Sequence, residues 1–67
     1  MASEHEPIIA KLREDLLALN ARAGAIQDRA DRENRDLDVS EEVEVDSIFA
    51  EFKRVESEID RRTRLAG

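Results

Sequence analysis

Apolar residues recur at Ile9, Leu12, Leu16, Leu19, Ala23, Ile26 and Ala30, in steps that alternate between three and four. That is the heptad rhythm of a single helical stripe, and no strand-like alternation competes with it. The residues between, such as Lys11, Arg13, Glu14 and Ala18, are strong helix formers. Pro7 suits a first helical position, where its missing N–H would have no partner. Because the residue before a proline avoids the α region, the pattern predicts a helix over about residues 7–33 after a flexible tail at about 1–6. An earlier start is also on offer, with Ser3 as N-cap and Glu6 three residues on.

A second stripe runs through Val45, Ile48, Phe52, Val55 and Ile59, and its register continues to Arg62 and Ala66. It predicts a helix over about residues 39–65, after a turn at about 34–38. The intervening stretch carries a stop and a start. Asn34 is a residue type that tolerates the left-handed backbone just past a helix C-terminus. Leu37 is expected to turn inward, and Asp38 with Glu41 forms an N-cap pair of capping-box spacing. Arg29 and Arg32 suit the negative end of the first helix, and Glu41, Glu42 and Glu44 the positive end of the second. The pairs Glu58/Arg62 and Asp60/Arg64 stand four apart, acid first.

Two long amphipathic helices joined by so short a linker can only fold back on each other, as an all-α antiparallel two-helix hairpin. Folding about Asp36 pairs positions whose numbers sum to about 72. Phe49 and Phe52 then oppose Leu19, Ala23 and Gly24, and close approach of a ring would explain a glycine in mid-helix. Ile8, Leu17, Phe49 and Leu65 lie off the stripes and widen the apolar surface. A lone hairpin covers each stripe from one side only, so a chain of 67 residues is expected to self-associate or dock on a partner through them.

Composition adjusts this picture more than it adds to it. Charged residues make up 42% of the chain and aromatics 3%, a mixture suited to long solvated helices. The net charge of −6 argues against a nucleic-acid or anionic-membrane partner, which would require clustered Lys and Arg. The acid is local: residues 36–46 hold six carboxylates and no base, and helix capping accounts for them. With no Cys and a single histidine, His5, a metal centre lacks ligands. His5 is expected to be an ordinary exposed imidazole. No Ser/His/Asp set or glycine-rich phosphate loop is present. The residues therefore point to no enzyme and no cofactor. No apolar run reaches the roughly 20 residues of a membrane span, and a cytoplasmic location is expected. Arg61, Arg62 and Arg64 gather at the open end, as a helix terminus or a docking patch for an acidic partner.

The string Ala30-x-x-x-Asn34-Arg35-Asp36-Leu37, followed by Asp38-x-x-Glu41-Glu42 and Val45-Asp46-x-Ile48, resembles the N-terminal scaffolding segment, or delta domain, of tailed-phage major capsid proteins with the Hong Kong 97 fold. The likeness extends over about residues 8–66. Where family members typically carry Gly, Thr and Phe, this chain has Asn34, Asp38 and Val45, each of which keeps the physical role: a left-handed residue, an N-cap and an apolar stripe position. The resemblance implies a bacteriophage assembly module that lies inside the procapsid of the host cell. Its partners would be itself, a capsid shell protein and a maturation protease. For such an interior segment, the net charge of −6 leads to the expectation that it repels DNA until it is removed. Without a shell-forming part, the segment is expected to act as a separate scaffold or as the N-terminal piece of a longer precursor. The competing expectation is a free-standing hairpin that binds a partner protein as an adaptor or regulator.

Overall fold

The computed structural model describes residues 4–66. Two helices of 28 residues, α1 (His5–Arg32) and α2 (Val39–Ala66), pack against each other as an antiparallel hairpin, with no strand among the described residues. Each helix is about 42 Å long at the standard rise. The extents of 52 × 16 × 12 Å describe a flat rod. Its radius of gyration is 15.4 Å, against about 11 Å for a compact chain of this length.

Both heptad stripes meet in the seam. Leu19 and Ala23 from α1 and Ile48 and Val55 from α2 form the buried centre, and Leu12, Leu16, Ile26, Phe52 and Ile59 pack against it half-covered. Ile9 and Ala30 are buried toward the two ends of α1, and Val45 is half-buried. Alternating large and small side chains let two helices approach closely, which is why Ala23 and Ala30 stand among the most covered residues.

The first helix starts at His5, two residues ahead of the Pro7 start expected from the sequence, so His5 and Glu6 belong to the helix and not to a tail. The reason lies in the first turn, whose N–H groups have no acceptor inside a helix. Pro7 in that turn loses no hydrogen bond, and the bias it places on Glu6 is overcome. Glu4 precedes the helix with α-type dihedrals and no side-chain cap. The alternative cap, Ser3, falls outside the described residues. At the other end of α1 the helix closes at Arg32, and α2 runs to Ala66.

Gly24 departs from expectation. A Cβ built on it would meet nothing within 4 Å, and Phe49 is 49% exposed, so no ring of the same chain closes over this glycine. The aromatic rings differ in their places: Phe52 packs on the seam, whereas Phe49, three residues earlier, rides above it. The described residues leave Gly24 with an exposed notch in α1 and no intramolecular reason for it, at a helix-propensity cost of about 1 kcal/mol relative to Ala.

Candidate functional site

Among the described residues, hydrogen bonds gather most densely at the closed end of the hairpin. The last turn of α1 ends in a Schellman arrangement. Asn34 sits at φ 54°, in the left-handed region, its N–H donates to the Asp31 carbonyl at 3.1 Å, and the Arg35 N–H donates to the Ala30 carbonyl at 3.0 Å. Four residues later the chain starts again. The Glu41 N–H donates to Asp38 Oδ1 at 2.8 Å and the Asp38 N–H donates to Glu41 Oε1 at 3.0 Å, a reciprocal capping box. Leu37, half-buried, is the apolar anchor between the two.

Arg35 ties stop to start. Its Nη1 and Nη2 donate to the two carboxylate oxygens of Glu41 at 2.6 and 3.1 Å, its Nε to Glu33 at 2.8 Å, and Nη1 also to the Asp36 carbonyl at 3.1 Å. The fork geometry of a guanidinium is what makes this two-oxygen grip available. The Glu41 side chain keeps only 16% of its exposure. Hydrogen bonds from Arg35, reinforced by the Asp38 N–H, hold the Glu41 carboxyl down at about 2. Glu33 is lowered as well, first by its hydrogen bond from Arg35, and Arg35 is raised by Glu41 and then Glu33. Reading the acid of residues 36–46 by itself missed this arginine, which stands one position before the stretch. The signal was there in principle: a base two residues past a helix stop and six before the third position of the next helix.

At the open end, Arg62 bridges the helices. Its Nε donates to Glu58 at 2.7 Å, and its Nη1 lies 3.1 Å from His5 Nδ1. An arginine N–H can only donate, so Nδ1 is the acceptor in this contact. His5 is therefore half-buried in an inter-helix contact, not an ordinary exposed imidazole. The expected basic patch is also weaker than the sequence suggested, since Arg61 and Arg62 both pair with Glu58 and Arg64 pairs with Asp60.

Between the ends, the two broad sides of the rod differ. On one, shallow depressions are lined by Leu12, Leu19, Ile48 and Val55 among charged neighbours that include Arg22, Glu44, Glu51, Arg54 and Glu58. The other holds a depression formed by Arg13, Leu16, Leu17, Asn20 and Phe52. Phe49 and Glu56, three residues before and four after Phe52, continue that side along α2. Of the four off-stripe residues expected to widen the apolar surface, Leu17 (72% exposed) and Phe49 belong to this side, whereas Ile8 and Leu65 are exposed elsewhere. Val39 and Val43 are exposed too, and nothing in the heptad pattern singled them out.

Among the described residues no group of three or more His, Cys, Asp or Glu side chains converges as a metal site. No helix there is long and apolar enough to cross a membrane. Compared with protein-family models, curated proteins and solved structures, the chain matches none of them.

Proposed function

We propose that this chain is a non-enzymatic assembly module, a helical-hairpin rod that works through its outer surface in the manner of a capsid scaffolding segment. The observation that carries the reading is the combination of a self-contained seam with large apolar side chains left bare outside it, Leu17 and Phe49 foremost. Among the described residues, a rod of this kind offers a partner broad sides with shallow depressions. Weak contacts of this size, repeated over many copies in one shell, add up through multivalency while each stays reversible. The turn-plus-cap string of residues 30–48 supports the scaffolding form of the reading over a general adaptor.

Co-expression with a Hong Kong 97-type shell protein tests it. Supplying this chain should raise the yield of closed shells of uniform size, and Leu19→Asp, which breaks the seam, should abolish the gain. Shell formation indifferent to the chain would favour the adaptor reading. The suggested repulsion of DNA is tested in the same system at Glu42, Glu44 and Asp46, which stand clear of the Arg35 grip. Their reversal to Lys should raise the DNA retained by shells that still contain the chain.

A further inference from the structure

We infer that the side of the rod bearing Leu16, Leu17, Phe49 and Phe52 is the interface of a symmetric dimer, with a second copy of this hairpin as its occupant and the two-fold axis parallel to the helices. Such an axis leaves every height along the rod unchanged and lays α1 of one copy over α2 of the other, antiparallel, as in a four-helix bundle. Each α1 side chain on this face then meets the α2 side chains that stand at its own height.

The residues at matching heights fit. The depression built from Leu16, Leu17, Asn20 and Phe52 fixes Phe52 level with residues 16–20 of α1. Phe49, one turn of helix nearer the hairpin bend, stands level with residues 19–23, and its side chain, leaning back toward the start of α2, reaches the height of Gly24. Gly24 lies seven residues after Leu17, on the same stripe of α1, and has empty space where a Cβ would sit. The exposed ring of Phe49 from the second copy enters that notch, and the dyad repeats the fit. Arg13, on the rim of the depression, stands level with Glu56 of α2, and no ion pair joins the two within one chain among those the structure shows. Across the dyad each faces the other, giving two symmetric opposite-charge pairs. A partner of single-sign surface would satisfy only one of these residues. The extents of this flank, 52 by 16 Å, are on the order of the 800 Å² per partner that a standard interface takes. The opposite side has its charged rim already engaged in Arg54–Glu51 and Arg61–Glu58 pairs, beside the exposed Val43; a dyad pairs the Phe49 face with itself, so association through that face closes at two copies.

This names a partner within the assembly reading, yet its test needs only the isolated chain, so its failure is separable from failure in the shell assay. Sedimentation equilibrium of the whole protein should give twice the 7.6 kDa chain mass at high micromolar concentration. Phe49→Glu and Gly24→Leu, both at exposed positions, should each return the single-chain mass with helical circular dichroism retained. Arg13→Glu should weaken the dimer at least tenfold, and adding Glu56→Arg should restore it. A wild-type chain that stays at 7.6 kDa would overturn the proposal. So would a dimer unmoved by Phe49→Glu and Gly24→Leu, or an Arg13→Glu/Glu56→Arg pair no tighter than Arg13→Glu alone.

Discussion

The guanidinium of Arg35 divides its donors among Glu33, the Asp36 carbonyl and both oxygens of Glu41, while Glu41 also caps the first turn of α2. One side chain thus ties the end of α1 to the start of α2. Glu41→Gln or Arg35→Lys should therefore lower the thermal midpoint clearly more than Glu42→Gln, in a circular dichroism melt, because Lys cannot grip two oxygens at once. The same contact makes stability depend on acid. The folded-state pKa of Glu41 is about 2, below the ordinary glutamate value of about 4.3, so its contribution is present above that value and is lost as pH falls toward 2. Chemical denaturation across this window should show the decline in the wild type and a shallower one in Glu41→Gln. Asn34 is separable from the grip. Asn34→Ala should cost about 1 kcal/mol, because alanine pays the left-handed penalty, whereas Asn34→Gly should be neutral or slightly stabilising.

At the scale of the helix, the stripes were readable because both obey one period over several turns, and the capping box because its two residues stand three apart. Ile48, 3% exposed, marks the centre of the seam, and Ile48→Ala should cost roughly 3 kcal/mol in urea unfolding. What the pattern left hidden is of another kind. Whether Phe49 covers its own Gly24 depends on how far each helix is rotated about its axis, and a heptad fixes the inward face more firmly than the flanks. The Arg62 to His5 contact joins residues 57 apart, a distance over which no local rule reaches. Gly24→Ala, measured at a dilution where the chain is a monomer, should stabilise the hairpin by about 1 kcal/mol, since the notch is empty within the chain.

Taken whole, the molecule is asymmetric along its length. The closed end is held by backbone caps, a two-oxygen ion pair and a half-buried leucine, whereas the polar link shown between the helices at the open end is Arg62 to His5. Amide protection should consequently be greatest around Ala30, Ile48 and Val55 and fall toward residues 5–12 and 59–66, in native-state hydrogen exchange. A flat protection profile along both helices would contradict the bonding pattern.

The placement of His5 beside Arg62 also means that the start of α1 and the end of α2 lie together at the open end, so a load applied to these two points pulls the helices directly apart. The seam then opens one heptad layer after another, as a zipper does, without the layers having to slide past each other together. Each layer yields at low force and can close again when the load drops, with the capped turn left as the seed from which the helices re-pair. Held in optical tweezers by its two ends, the hairpin should open along a low, reversible plateau that ends near Leu37 and Asp38, where the Arg35 grip gives the last and largest step.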